Sequence, residues 1–146
     1  IRYSSLNLID DISKPFETIQ NKYGSIFTSY NIDGYTYVIF ENNPLVTFCF
    51  FEGNERLCSE ITTTADVLFD NFDDETELSV LEKSLSAQEL SVVDCNRPKC
   101  VSWYINSYDY RYILVELPYD TDVNSIRINP LDQVKILDAY CPGCMG

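Results

Sequence analysis

Between Ser25 and Thr62 the chain runs as short β-branched and aromatic stretches cut by tight turn signals, and this feature constrains its fold most. The stretches 25–31 and 35–41 flank Asp33-Gly34, a pair suited to a two-residue hairpin because both turn positions need positive φ. Asn42-Asn43-Pro44 marks a second turn. Leu45 to Phe51 then faces Arg56 to Thr62 across Glu52-Gly53-Asn54-Glu55, a register that sets Cys49 directly opposite Cys58. Strand-like stretches return at 101–106, 108–117, 125–128 and 133–139. Aromatic residues make up 14% of the chain, which also favours a β-rich core.

Helical periodicity is confined to two places. Leu6, Ile9, Ile12, Phe16 and Ile19 recur at helix-like spacing, interrupted by Pro15 and stopped at Gly24, which predicts one or two short helical turns. The clearest helix is expected at about 75–90. Asp74 would cap it, Glu77 would complete a capping box, and Leu78, Leu81 and Leu85 would form the buried stripe. About eight strands with one or two helices predict a mainly β fold, an antiparallel β-sandwich or jelly roll, because closing many short strands removes long edges.

At 146 residues the chain fits one domain, residues 1–146, with enough length for a core that needs no crosslinks merely to fold. It begins at Ile1 rather than Met, so a piece excised from a longer precursor is expected. No apolar run approaches the roughly 20 residues of a membrane span, so no membrane insertion is expected. The formal net charge of −13 repels nucleic-acid phosphates and anionic lipid surfaces and favours basic protein partners. From Asp66 to Asp94 nine acids stand against one base, Lys83, either as a solubilising face or as a docking patch.

The chain has no histidine, which removes serine–histidine triads, cysteine–histidine dyads and every zinc site with an imidazole ligand. Paired carboxylates could still hydrolyse glycosides, but among 23 acids some pair always exists, so the signal selects nothing. The expectation is a protein that is not an enzyme and needs no cofactor. Clustered oxygens at Asp70-Asn71-Phe72-Asp73-Asp74-Glu75 suggest calcium, yet they lack the EF-hand order, and helix capping accounts for Asp74.

Six cysteines sort into three local pairs, Cys49 with Cys58, Cys95 with Cys100, and Cys141 with Cys144, which is the arithmetic of a disulfide framework. Cys95, Cys100, Cys141 and Cys144 could instead hold zinc through four thiolates, with Pro142-Gly143 forming a tight knuckle. Buried free thiols are a third alternative. A redox dithiol at Cys141-Pro142-Gly143-Cys144 is disfavoured, because such motifs sit at a helix N-terminus and only Met145 and Gly146 follow. Disulfides imply secretion or an oxidising compartment, whereas zinc implies an intracellular protein.

Tyr108, Tyr110 and Tyr112 alternate along one strand, with Trp103 and Tyr104 nearby. Period two sets the three tyrosines on one face, either as core packing or as a platform for a sugar ring or a protein hot spot.

The stretch from Tyr112 to Tyr140 resembles the last strands of galactose-binding-like jelly-roll modules of bacterial glycan-processing proteins. Such modules often carry an Arg-x-Asp-Pro pattern before a final strand, and here Arg127-Ile128-Asn129-Pro130 has Asn in place of Asp. The resemblance covers about a fifth of the chain and implies a sandwich that binds rather than catalyses. It transfers no binding residue. The expected function is therefore a non-catalytic binding module for a protein partner, one with a basic face for example, or for a glycan. The alternative is a structural or assembly domain held by the four-cysteine zinc site.

Overall fold

The computed structural model describes residues 2–53, 55–72, 76–77, 80, 83, 90–94, 100–106, 112–118 and 127–138. For 2, 76–77, 90–94, 100–106, 112–118, 127–128 and 138 the backbone alone is described. The elements in chain order are β1 (Arg2–Tyr3), a 3-10 turn (Leu8–Asp11), α1 (Phe16–Tyr23), β2 (Ile26–Ile32), β3 (Tyr35–Phe40), β4 (Thr47–Phe51), β5 (Cys58–Thr64), α2 (Ala65–Leu68), β6 (Phe69–Asp70), β7 (Thr76–Glu77), β8 (Leu90–Asp94), β9 (Cys100–Asn106), β10 (Tyr112–Pro118), β11 (Arg127–Ile128) and β12 (Gln133–Asp138).

Eight strands form one antiparallel sheet in the order β2-β3-β4-β5-β12-β10-β9-β8. Two short pairs, β1 with β6 and β7 with β11, lie apart from it. The sheet is thus two four-strand meanders joined where β5 meets β12, with Thr64 opposite Gln133 and Ile61 opposite Ile136. The mainly β, antiparallel expectation holds. A sandwich is not confirmed among the described residues: over β3, β4, β5 and β12 the apolar face is covered by helical segments rather than by a second sheet.

The packing on that face follows from alternation. Along β3, Thr36, Val38 and Phe40 are buried while Tyr37 and Ile39 are half-exposed. Val38, Phe40, Phe48, Phe50, Ile61 and Ile136 supply the sheet side of the core, and Leu8, Ile12, Ile19 and Tyr23 supply the covering side. Pro15 precedes α1 with φ −65°, Glu17 and Lys22 sit at the ends the helix dipole favours, and Gly24 ends the helix at φ 89°. The strip before α1 is bonded to the sheet: Ser13 N–H donates to the Cys58 carbonyl (2.7 Å) and Cys58 N–H to the Lys14 carbonyl (2.8 Å).

Two sequence expectations need correction here. Thr76 and Glu77 are extended and pair with Ile128 and Arg127, so Glu77 cannot complete a helix capping box. Helical backbone occurs at Val80 and Lys83, and the rest of the helix expected at about 75–90 lies outside the described residues. The Cys49–Cys58 register is also displaced. Cys49 pairs with Glu60 and Phe50 with Cys58, the shift being absorbed by a bulge at Ser59.

Candidate functional site

Exposed apolar side chains line the outer strand β2 and, at its turn end, form an aromatic corner with β3 and β4. Among the described residues β2 is an outer strand of the sheet, with β3 as its one strand neighbour, and all seven of its residues are exposed. Six of the nine large hydrophobic residues exposed among the described residues lie on β2 or beside it on β3 and β4: Ile26, Phe27, Tyr30, Ile32, Tyr35 and Phe51. Phe27 is 69% exposed, Phe51 52%, Ile32 50% and Tyr30 48%, values unusual for residues of this size on an otherwise acidic domain.

The corner is built by a tight turn and a bulge. Asp33 (φ 49°) and Gly34 (φ 83°) both adopt positive φ, as a two-residue turn matched to strand twist requires. The turn fixes Ile32 opposite Tyr35 and Tyr30 opposite Tyr37. A register shift between Ile26 and Thr28 then leaves Phe27 projecting from the ladder. With Val38 and Phe40 facing the helices, Tyr30, Ile32, Tyr35 and Tyr37 fall on the opposite face.

That face carries two aromatic pairs. Tyr30 and Tyr37 stack with centroids 5.0 Å apart and planes 8° apart, and Tyr35 meets Phe51 edge-on at 5.5 Å. Cross-strand pairs of this kind contribute about 0.5–1.5 kcal/mol beyond area burial and hold the rings in fixed poses. The Tyr37 hydroxyl is hydrogen-bonded to the Cys49 thiol, which pushes the Tyr37 pKa up to about 12. Burial raises the Cys49 pKa despite hydrogen bonds from Ser59 and Tyr37 that oppose the shift. Burial raises Cys58 more, helped by the Asp11 charge. Both thiols are free and buried, and neither has the lowered pKa of a nucleophile.

A second polar group lies under α1. Asp11 is buried, accepts from Lys22 Nζ at 2.9 Å and accepts from the Tyr23 hydroxyl. Lys22 also donates to the Leu6 carbonyl at 3.1 Å, and the Tyr23 ring packs on Phe40 and Phe48. The carboxylate therefore has partners inside the fold, and the group ties the 3-10 turn to α1.

The residues singled out in the sequence are placed unevenly. Trp103 and Tyr104 lie on β9 and Tyr112 opens β10, toward the β8 edge of the sheet. Tyr108 and Tyr110 lie outside the described residues, as do Cys95, Cys141 and Cys144. Cys100 opens β9 opposite Pro118. β12 ends with Asp138 opposite Ile113, whose other partner is Ile105, five positions along β9 from Cys100. Among the described residues no group of three or more metal-ligating side chains is assembled. No helix among them is long and apolar enough to cross a membrane.

No protein-family model matches the chain, and no curated protein does. The fold does have solved counterparts. An extracellular protein containing a SCP domain from Bacillus anthracis superposes with a TM-score of 0.52 at 14% identity, over 95% of this chain and 48% of that one. A cysteine-rich secretory protein from Staphylococcus aureus gives a TM-score of 0.48 at 12% identity, over 89% of this chain and 45% of that one. This chain thus spans about half the length of either protein. The comparison overturns the resemblance to galactose-binding jelly rolls. The likeness extends over nearly the whole chain to a different fold, whereas the Arg127 to Pro130 pattern falls on a two-residue strand, β11, and the turn after it.

Proposed function

We propose that this chain is a non-catalytic extracellular module that binds a protein partner through the aromatic corner of β2, β3 and β4. The observation that carries the reading is the gathering of Phe27, Tyr30, Ile32, Tyr35 and Phe51 on an outer strand and its neighbours. Fixed aromatic rings beside exposed aliphatics are the composition of a protein-binding hot spot. The fold likeness to an extracellular protein supports an extracellular setting. The absence of histidine and the raised thiol pKa values fit binding better than catalysis.

The test is a parallel screen of the immobilised protein against a displayed peptide library and a glycan array. Peptide ligands should be enriched, and the Tyr30→Ser/Phe51→Ser variant should lose them while keeping its circular dichroism and melting transition. Ligands found only on the glycan array, with a change in Trp103 fluorescence on adding sugar, would replace this reading with carbohydrate binding.

A further inference from the structure

We infer that β2 takes an extended basic peptide as a ninth strand, so that recognition runs through main-chain hydrogen bonds at the open edge. This rests on the binding-module reading and names its partner and mode.

The edge is unusually open to pairing. Outer strands in native sheets are commonly blunted by Lys, Pro, inward charge or very short length. Ile26–Ile32 runs seven residues and contains no charged residue and no proline. Its bulge lies at one end, between Ile26 and Thr28, and leaves the stretch 28–32 in regular register with β3. In a ladder closed by a two-residue turn, bonded and non-bonded pairs alternate, so Ile32, Tyr30 and Thr28 turn their backbone groups toward β3. The N–H and C=O groups of Ser29 and Asn31 then point to the open edge. An incoming strand would find these donors and acceptors at the ladder spacing.

The two faces of β2 define what the incoming side chains should be. Tyr30 and Ile32 lie on the aromatic face, while Ser29 and Asn31 lie on the other, so alternating apolar and small polar residues match. Charge defines the ends. Residues 24–55 contain four acids, Asp33, Glu41, Glu52 and Glu55, and no base. Asp33 follows β2 directly, and Glu41 N–H donates to the Ser25 carbonyl beside the start of β2, so exposed carboxylates flank the strand at both ends. A peptide with a basic residue at each end complements this arrangement. A second copy does not, because antiparallel β2–β2 pairing brings Asp33 of one copy toward Glu41 of the other within two chains of net charge −13.

The probe is a blocked nonapeptide, Lys-Val-Thr-Val-Thr-Val-Thr-Val-Lys, titrated into the full chain and followed by calorimetry and amide hydrogen exchange. Binding should protect the Ser29 and Asn31 amides and should weaken about tenfold or more between 50 and 500 mM salt, as expected of charges screened within a Debye length. The same peptide N-methylated on its pairing edge should not bind. Ser29→Pro removes an outward donor without touching the β2–β3 ladder and should lower affinity about tenfold or more. Asp33→Asn/Glu41→Gln keeps the turn and should flatten the salt dependence, a readout that survives if Ser29→Pro fails to fold. Equal affinity for the N-methylated peptide, or protection elsewhere than β2, would overturn strand addition. If the Tyr30→Ser/Phe51→Ser variant then still lost its screened ligands, the module reading would stand alone. Concentration-dependent dimerisation through β2 with no peptide binding would also overturn the proposal, in favour of self-pairing.

Discussion

Cys49 and Cys58 lie on opposite faces of the sheet. Cys58 shares the core face with its partner Phe50, whereas Cys49 faces the other way beside Tyr37 and Glu60. Bridging them would require removing the Ser59 bulge and moving one thiol through the sheet. The oxidised chain should therefore form at most two disulfides, from the four remaining cysteines. Native alkylation should leave Cys49 and Cys58 unmodified, and denaturation should expose both. Intact mass before and after denaturing alkylation checks this, and a loss of six hydrogens would contradict the register.

The Asp11–Tyr23 contact is expected to hold the N-terminal cover on the sheet. Tyr23→Phe keeps the ring against Phe40 and Phe48 but deprives a buried carboxylate of its hydroxyl donor, at a cost of about 1–3 kcal/mol. Urea unfolding of the single variant measures it. An unchanged midpoint would mean that Lys22 alone satisfies Asp11.

Stability should fall on the alkaline side. Tyr23 and Cys58 have folded pKa values raised above 10.0 and 9.0, chiefly by burial, so the neutral forms are the ones the fold accommodates. A raised folded pKa gives stability that is complete below the unfolded pKa and lost as pH rises through the folded one. Melting temperature should thus hold up to about pH 9 and decline above it. Cys58→Ala should shrink the first part of that decline, leaving the share that Cys49 contributes, while lowering stability at neutral pH. A flat profile to pH 11 would count against buried ionisable groups here.

Gly34 offers a clean measure of backbone strain. A Cβ placed there meets no atom within 4 Å, so Gly34→Ala introduces no clash and only the positive φ opposes it. The expected loss is about 1–2 kcal/mol. Phe48→Ala, in the fully buried centre, should cost about 3–5 kcal/mol by contrast. Chemical denaturation of the two variants side by side would separate strain from packing.

Much of the first meander could be read from residues because its signals are local. Asp33-Gly34 encodes its own turn, Pro15 and Gly24 bound α1, and the alternation of Tyr35 to Phe40 sorts itself between faces. Where distant partners decide, local reading fails. Thr76 and Glu77 fit a capping pattern but are drawn into pairing with a segment fifty residues onward. No glycine or proline beside Ser59 announces a bulge, so the residues alone predict straight pairing where the structure shifts it by one. Alternating strands specify an apolar face without saying whether a sheet or helices will cover it. The aromatic corner is not legible in the sequence for a related reason. Exposure of Phe27 and Tyr30 depends on β2 being outermost, which only the strand order decides. The signal that was available is negative: no base between residues 24 and 55 and no gatekeeper on the strand.

The seam between β5 and β12 has a consequence for how the molecule is made. Thr64 meets Gln133 nearly seventy residues later, so the first meander has its own turns but must wait for β12 to cover one side of β5. On a translating ribosome that side stays uncovered until Gln133 to Asp138 have emerged. Long-range pairing of this sort slows folding and leaves a sticky intermediate. Truncation just before Gln133 should therefore yield an aggregating half-sheet, and a chaperone or a slow-growing culture should raise the yield of the intact protein more than any surface mutation.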